Sequence, residues 1–285
     1  ESKQAGYTVD EAVVQNGLNF VRNHLNAHPI EPKKTATITN LLFPNPTAES
    51  NAAGDTKRRY ELNVRAYVLY VLAEMGMGDL GFSNSLYEYR DDLNLFAKAY
   101  LAMAFDDLKK QGGLDETVLS DLTAKIETLT ASILNQAKET PRGVHFEEAY
   151  PEYRLFDTDT RTTALVLQML ARTNPNHPYV AKILRHLMLE KQNLADGRYA
   201  STQQTAVTLL AMVEYLQASR ELEADFQAEV NINGEAKLNK AYLEKNIADR
   251  DTITIALQNL LGENQDNEIT VSKNGTGRLY FDMTL

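Results

Sequence analysis

The sequence contains no cysteine and no tryptophan among its 285 residues. Without cysteine the chain can form no disulfide, has no thiol nucleophile and offers no thiolate ligand to a metal. This absence does not identify a cellular compartment, because many periplasmic and cytosolic proteins also lack cysteine. Thiol catalysis and cysteine-ligated metal sites are therefore excluded for this chain.

Long apolar runs and an excess of positive charge are also missing. No run approaches the roughly 20 residues that a membrane-spanning helix needs. The 29 Lys and Arg residues are outnumbered by 39 Asp and Glu residues, which gives a formal net charge of −10. Because nucleic-acid binding needs a basic surface, we expect no nucleic-acid partner. The length suits one large domain or two unequal ones.

The apolar residues recur with a helical period up to about residue 222. Some of the predicted helices carry a single apolar stripe, which is typical of helices at the outside of a domain. The stripes are Val14, Leu18, Val21 and Leu25; Val118, Leu122, Ile126, Leu129 and Ile133; and Val180, Ile183, Leu184 and Leu187. Thr8 and Glu11 predict a capping box before the first of these helices. Residues 83–90 predict a further short outer helix.

Other predicted helices are apolar nearly all round, so neighbouring elements must surround them. They cover residues 66–73, 97–105, 164–171 and 206–213. Outer and inner helices alternate along the chain, which predicts two concentric layers in an α/α toroid of helical hairpins. A simple bundle would instead show one stripe on every helix. The sequence predicts about eight helices, fewer than a closed toroid usually contains. We therefore expect an incomplete ring whose remaining hairpins precede Glu1.

Residues 28–57 interrupt the helical pattern. The segment contains Pro29, Pro32, Pro44, Pro46 and Gly54 together with many Thr and Asn residues. This composition predicts a long loop, and loops beyond about 15 residues are usually functional or disordered. We interpret this one as an excursion at the surface.

Beyond about residue 226 apolar and polar residues alternate, which predicts β-strands. Residues 226–232 and 235–239 flank Asn233-Gly234, a strong signal for a two-residue hairpin. The remaining strand signals are Ile253, Ile255 and Leu257; Ile269 and Val271; a second turn at Asn274-Gly275; and Leu279, Phe281, Met283 and Leu285. These signals predict a β sandwich that continues past Leu285. The expected domains are a helical domain over 1–222 and a partial β-sandwich domain over 223–285.

One group of residues has the chemistry of an acid, base or metal site. Its members are His145, Glu147, Glu148, Asp157 and Asp159. Their spacing matches no metal-ligand motif. Asp157 and Asp159 stand at the start of a predicted helix, where carboxylates interact favourably with the helix dipole. We therefore interpret the group as structural.

Two further motifs have structural interpretations. Ser201 and Gln204 have the spacing of a capping box at the start of an inner helix. His24 lies just before the 28–57 segment and His28 is its first residue, and neither belongs to a recognisable local motif. The sequence thus predicts no catalytic residue, no cofactor-binding residue and no metal ligand.

Several segments carry motifs of one known family, in the order found in that family. They include residues 159–165 (DTRTTAL) and residues 197–206 (GRYASTQQTA). These two segments resemble the starts of the last two inner helices of the thioester domain of the α-macroglobulin family. Residues 6–9, 66–73 and 92–102 are similar to bacterial members in particular. Residues 277–281 (GRLYF) resemble the closing strand of the CUB-like domain into which the helical domain is inserted.

This resemblance implies part of a bacterial, secreted or periplasmic, broad-spectrum endopeptidase inhibitor. Such proteins trap proteases after a bait segment is cut, and many form a Cys–Gln thioester that acylates the protease. The chain has no Cys, so either the thioester lies upstream of Glu1 or this member lacks one. The segment would then be structural and not an enzyme, without cofactors. Its implied partners are target proteases and neighbouring macroglobulin β domains, and the parent protein could carry a lipid anchor.

The alternative is an α/α-toroid enzyme such as a terpene cyclase, a prenyltransferase or a polysaccharide lyase. Zinc prenyltransferases use a Cys ligand, which this chain lacks. Protonating cyclases use a D-x-D-D motif, of which Asp157-Thr158-Asp159-Thr160 has only the first half. Lyases use aromatic platforms for sugars, and tryptophan is absent. Because a fold alone does not decide function, the missing chemistry favours the inhibitor interpretation.

Overall fold

The computed structural model describes residues 7–30, 48–193, 201–220, 223–256, 260, 266–281 and 283. The chain divides into two compact units, Glu1–Met212 and Val213–Leu285. Helices dominate the chain up to residue 219, and an antiparallel sheet follows. The predicted fold class, helices followed by β-strands, is therefore confirmed. No helix in the described part of the chain is long and apolar enough to cross a bilayer.

Eight α-helices occur in the described residues. They are α1 Glu11–Ala27, α2 Ala48–Glu74, α3 Leu80–Tyr87, α4 Leu95–Gln111, α5 Glu116–Leu134, α6 Asp159–Thr173, α7 Pro178–Asn193 and α8 Thr202–Ser219. Short 3₁₀ turns cover Arg90–Asp92 and Tyr153–Leu155. A small hairpin of β1, Lys138–Thr140, and β2, Gly143–His145, lies between α5 and α6.

The helices of the first unit form two layers. Helix α4 packs between α2 and α6, and these three form the inner layer. Helix α3 packs against α2 and α4, α5 against α4, and α7 against α6 and β2. The two central helices are enclosed, since α4 is buried from Leu95 to Asp106 and α6 from Arg161 to Ala171. The predicted stripes of α1, α5 and α7 face inward at Leu18, Leu25, Leu122, Ile126, Leu129, Ile133, Val180, Ile183 and Leu187.

The other two predicted inner helices are less enclosed. In α8, Leu209 and Val213 are 53% and 49% exposed, and Tyr67 of α2 is 49% exposed. Complete burial, predicted from their apolar composition, is wrong for these helices in the described structure. Composition shows which faces a helix can bury, whereas its neighbours decide which faces are buried.

The predicted 28–57 loop is wrong over its last ten residues, because α2 already begins at Ala48. Gly54 lies inside this helix, where glycine costs about 1 kcal/mol relative to alanine. The helix continues into buried residues, Leu62, Ala66 and Leu69, and that packing outweighs a weak local preference. The part of the segment from residue 31 to residue 47 lies outside the described residues.

The start of α1 also differs from the prediction. The N-cap is Asp10, whose Oδ1 accepts the backbone N–H groups of Ala12 at 2.9 Å and Val13 at 3.3 Å. The predicted capping box of Thr8 and Glu11 is therefore wrong by two positions. Aspartate is as good an N-cap as threonine, and both residues precede the same apolar stripe.

The second unit contains one three-stranded antiparallel sheet in its described residues. Its strands are β3 Asp225–Ile232, β4 Glu235–Leu243 and β5 Ile269–Thr276, in the order β4-β3-β5. The predicted hairpin is confirmed: Asn233 and Gly234 connect β3 to β4 with φ angles of 51° and 80°, as a type I′ turn requires. Phe226 and Tyr242 stack at 5.2 Å at the centre of its small core.

The second predicted turn is wrong. Asn274 and Gly275 lie inside β5, opposite Gln227 and Phe226 of β3. Glycine is required there because φ is +116° and a Cβ would lie 2.3 Å from the carbonyl oxygen of Asp225. The Asn-Gly pair, which is typical of a turn, therefore lies here where two strands approach each other closely.

The remaining strand predictions have mixed outcomes. Ile269 and Val271 belong to β5 as predicted, whereas Ile253, Ile255, Leu279, Phe281 and Met283 are not in strands. Leu257 and Leu285 lie outside the described residues, as do residues 197–200. A second sheet, which would complete a sandwich, stays a prediction.

Candidate functional site

A buried polar network joins the beginnings of α4 and α6. At its centre, the Glu148 carboxylate accepts the backbone N–H groups of Leu95 at 3.0 Å and Phe96 at 2.9 Å. It also accepts the hydroxyl of Thr162 at 3.0 Å. The residue at the N-cap position of α4, Asn94, makes no side-chain capping bond. Glu148 therefore satisfies the free N–H groups of a helix from a distant loop.

Asp157 is the second buried carboxylate of this network, with an exposed fraction of 2%. It accepts the Thr162 hydroxyl at 3.2 Å, the Asn94 side-chain amide at 3.4 Å and the backbone N–H of Glu152 at 3.3 Å. A hydroxyl has one hydrogen, so Glu148 and Asp157 share a single donor at Thr162. The network is thus short of donors if both carboxyls are ionised.

The electrostatics of the network follow from this burial. Burial raises the pKa of Glu148 to about 7, and the nearby Asp157 charge adds to this rise. The hydrogen bonds that Glu148 accepts from Phe96, Leu95 and Thr162 lower the pKa and only partly offset the effect of burial. Burial also raises the pKa of Asp157. A carboxyl that titrates near neutral pH could serve as a general acid or base. Neither carboxyl, however, lines the large cleft whose wall is formed by residues of α2, α4, α6 and α8.

The other members of the predicted acidic group lie elsewhere. His145 Nε2 is 3.1 Å from Glu147 Oε1, and Glu147 also pairs with Lys138 at the surface. Asp159 lies at the edge of the network, where its Oδ1 accepts the backbone N–H of Glu148 at 3.1 Å. The structure therefore divides the group into a buried capping network and a separate surface pair. Within the described ranges, no three His, Asp or Glu residues are placed to hold a metal.

The start of α8 is tied to the same region. The Ser201 hydroxyl accepts the backbone N–H of Gln204 at 3.1 Å, as the capping-box prediction requires. The reciprocal bond, in which Gln204 Oε1 would accept the backbone N–H of Ser201, is not formed among the described residues. The Gln204 amide nitrogen instead donates to the Thr158 hydroxyl at 2.7 Å. Thr158 is itself the N-cap of α6 and accepts the backbone N–H of Arg161. The Gln204 side chain thus links the starts of two inner helices.

His24 and His28 lie at the end of α1. Their rings stack with centroids 4.2 Å apart, and both residues are exposed. The ring nitrogen Nδ1 of His28 lies 3.0 Å from the carbonyl oxygen of His24. Neither histidine lines the cleft or contributes to the capping network.

A cleft of about 590 Å³ is lined by residues of α2, α4, α6 and α8 and by the turn at Tyr153–Leu155. Aromatic residues form much of its wall, at Tyr67, Tyr70, Phe96 and Tyr100. The wall also contains Arg161, which is only 6% exposed. Its guanidinium donates to the Tyr100 hydroxyl at 3.3 Å and lies 5.0 Å from the centre of the Phe96 ring.

Sequence reasoning missed this cleft and Arg161. A usable signal was present, because Arg161, Leu165 and Gln168 are spaced by four and three residues on one face of a helix that is otherwise apolar. A charged residue on such a face must be buried, paired or aimed at a cavity. The pattern could not reveal which of these three environments Arg161 occupies.

Comparison with known families gives one match. Residues 82–215 match a family model described as the A-macroglobulin TED domain. The matched span is slightly less than half of the chain and contains the capping network, Arg161 and α4 to α7 in full. A search of curated proteins finds no match. The match supports a relationship between this helical region and the thioester domain of the α-macroglobulin family.

Proposed function

We propose that this chain is the later part of the thioester domain of an α-macroglobulin-type protease inhibitor, joined to the start of the β domain that follows. The observation that carries the proposal is the family match over residues 82–215. Two layers of helices over the same residues, followed by antiparallel strands, support it. The protein proposed here traps proteases and is not an enzyme.

The proposed role of this segment within the inhibitor is structural. The chain contains no cysteine, so it cannot itself form a Cys–Gln thioester. The buried helices α4 and α6, and the Glu148 network that joins their starts, would provide the rigid wall of the domain. The proposed domain limits are 1–222 for the helical part and 223–285 for a CUB-like β part.

The proposed setting follows from the same family. The parent would be a bacterial protein that acts outside the cytoplasm, in the periplasm or beyond the cell. Its partners would be target proteases, reached through the intact parent, and neighbouring β domains of the same chain. The acidic character of the chain, with a net charge of −10, supports the proposed absence of a nucleic-acid partner.

Protease trapping by the intact parent protein tests this proposal. The parent is mixed with a protease, with and without methylamine, and residual protease activity and conjugates on a denaturing gel are measured. Inhibition with a methylamine-sensitive conjugate would indicate a thioester outside residues 1–285. Inhibition without a conjugate would indicate trapping without covalent capture. An intact parent that inhibits no protease would contradict the proposal.

The purified chain provides the matching control. We expect residues 1–285 alone to inhibit no protease and to turn over no prenyl or glycan substrate. The cleft between the inner helices is the one observation that favours a toroid enzyme. Against it, Asp157 and Asp159 do not line that cleft, so the half D-x-D-D motif cannot protonate a substrate there. Turnover of either substrate class by the chain would overturn this assignment.

A further inference from the structure

Two histidine rings stack where the β1–β2 hairpin packs on α7. The centres of the His145 and His186 rings are 4.7 Å apart, and the ring planes differ by 13°. His145 is the last residue of β2, and His186 lies near the middle of α7. The two elements are close here, since a Cβ on Gly143 would lie 3.0 Å from the backbone nitrogen of His186. The ring pair is therefore part of the contact that holds the hairpin on the helix.

Neither ring has an acceptor for a second proton in this contact. Nδ1 of His145 and Nδ1 of His186 are both buried and have no hydrogen-bond partner among the described residues. A neutral imidazole can keep its single proton on Nε2, whereas the imidazolium ion has a donor at both nitrogens. Protonation would therefore place a charged, unpaired N–H group at a buried Nδ1. An unsatisfied buried donor is costly, and more so when it is charged.

The hairpin side of the pair partly offsets this cost at His145. Its Nε2 lies 3.1 Å from Glu147 Oε1, and a neighbouring carboxylate stabilises the charged form of an imidazole. The His145 side chain is also 19% exposed, so water reaches part of the ring. Glu147 pairs with Lys138 of β1 as well, which weakens its effect on His145. A proton that enters the pair is therefore more stable on His145 than on its partner ring.

The helix side of the pair disfavours a second proton. Burial lowers the pKa of His186, and a charged His145 lowers it further. Arg142, in the turn of the hairpin, acts in the same direction, whereas Glu190 of α7 raises the pKa. Arg142 and Glu190 pair with each other at 3.4 Å, so each partly cancels the effect of the other on the ring. The closed stack therefore holds fewer protons than two separated histidines would hold.

The hairpin is also held by contacts that involve no histidine. Glu139 of β1 pairs with Lys182 of α7. Val144 of β2 is fully buried. Helix α6 meets the end of β2 through Thr163, whose hydroxyl accepts the backbone N–H of Phe146 at 3.0 Å. Loss of the ring stack should therefore loosen the hairpin without unfolding the first unit.

We propose that the His145–His186 stack is an acid-sensitive latch, in which a second proton loosens the β1–β2 hairpin from α7. Separation of the rings opens each buried Nδ1 to water, so both imidazoles can then carry a proton. The separated state binds more protons than the closed state and gains population as the pH falls through the ordinary range of histidine, near 6.5. Above that range it has no such advantage, and the stack stays closed. The latch goes beyond protease trapping and does not depend on it.

Hydrogen exchange of the unaltered chain tests the latch. The exchange rates of residues 138–145 are measured at pH 7.5 and pH 5.5 and divided by the intrinsic rate at each pH. One additional proton in the separated state changes the opening equilibrium by at most about tenfold over this range. We expect protection to be about threefold to tenfold lower at pH 5.5. Equal protection at both pH values would overturn the proposal. The raised pKa of Glu148 cannot mimic this result, since it stabilises the folded chain at low pH.

Substitutions of the two rings assign the effect. His186→Phe keeps an aromatic ring against His145 but cannot take the second proton, and His186→Gln removes the proton site with a smaller side chain. In each variant we expect protection of residues 138–145 to differ by less than about twofold between the two pH values. His145→Phe keeps the stack without its charge, so the pH dependence should be smaller than in the natural chain. A folded variant of His186 that keeps the full pH dependence would contradict the latch.

The other histidines of the chain supply matched controls. His24 and His28 form a second stacked pair with ring centres 4.2 Å apart, but both residues are exposed. His177 Nδ1 accepts the backbone N–H of Tyr179 at the start of α7, and burial lowers the pKa of His177 as well. His24→Gln and His177→Asn should each leave the pH dependence of residues 138–145 unchanged. Loss of that dependence in either control would place the effect outside the latch and overturn the proposal.

Discussion

The carboxylate of Glu148 accepts the backbone N–H of Phe96 at 2.9 Å, across 52 positions of sequence. A helix start is normally capped by a residue next to it. Here the cap of α4 comes from the loop between β2 and α6, so the helix end and that loop stabilise each other. Loss of the Glu148 side chain would leave the N–H groups of Leu95 and Phe96 buried without an acceptor.

Glu148→Ala should therefore destabilise the first unit strongly. Two buried backbone donors lose their acceptor, and each unsatisfied buried donor costs on the order of 1–3 kcal/mol. We expect the free energy of unfolding to fall by about 3 kcal/mol, measured by urea denaturation followed by circular dichroism. The matched variant Glu147→Ala removes an exposed neighbour and should change stability by less than about 1 kcal/mol. Similar losses in the two variants would refute the capping role.

The stability of the chain should depend on pH through Glu148. Its pKa is raised from 4.5 to about 7 in the folded chain, so the folded state binds this proton more tightly than the unfolded state. Its contribution is therefore complete below about pH 4.5 and is lost as the pH rises through 7, with an upper limit of about 3 kcal/mol. The raised pKa of Asp157 acts in the same direction.

The comparison of the natural chain with Glu148→Gln isolates this effect. Glutamine cannot titrate, so the groups that do not interact with Glu148 cancel when the two unfolding free energies are subtracted. The advantage of the natural chain over the variant should shrink between pH 5 and pH 8. A difference that stays constant or grows over this range would show that Glu148 does not bind a proton more tightly in the folded state.

Gly143 should tolerate no side chain. Its φ is +130°, and a Cβ would lie 2.2 Å from the carbonyl oxygen of Lys182 in α7. Gly143→Ala should lower the free energy of unfolding by several kcal/mol, because both the backbone and α7 must shift. Gly17→Ala, inside α1 where no atom of the described residues lies within 4 Å of the added Cβ, should instead stabilise by about 0.5–1 kcal/mol. Thermal unfolding of both variants checks that the two substitutions change stability in opposite directions. A Gly143→Ala variant as stable as the natural chain would contradict this packing of β2 on α7.

Gln204 should hold the start of α8 in place. Its side chain donates to Thr158 at 2.7 Å, and Gln204→Leu removes this donor. We expect faster amide hydrogen exchange in the first turns of α8, by about fivefold for a bond worth roughly 1 kcal/mol. Gln217→Leu, at an exposed position of the same helix, serves as the control. Unchanged exchange at residues 202–210 in Gln204→Leu would show that the bond does not anchor the helix.

Much of the helical organisation was predictable from the sequence. The stripe at Leu122, Ile126, Leu129 and Ile133 correctly predicted one buried face of α5. The nearly continuous apolar run at residues 97–105, interrupted only by Lys98, correctly predicted the enclosed α4. Both signals are local, because the helical period repeats over a few residues. The Asn233-Gly234 hairpin was predictable for the same reason, since its turn type depends on two adjacent residues.

The errors occurred where distant backbone decided the outcome. Asn274-Gly275 has the sequence of a turn, yet it lies in a strand because β3 passes close enough to require glycine. The segment at 48–57 has weak helical preference, yet it continues a helix whose later residues are buried. The apolar α8 remains partly exposed in the described structure because burial depends on neighbours as well as composition.

The sequence by itself determined the two helix types, the change from helices to strands and the absence of thiol chemistry, because these follow from local periodicity and composition. Only the tertiary structure decided that Glu148 caps α4, that Gln204 bonds to Thr158 and that Arg161 lines a cleft and donates to the Tyr100 hydroxyl. The contacts that define these features join residues 46 to 61 positions apart. No local pattern specifies such pairs, since they form only when the packed helices bring them within hydrogen-bonding distance.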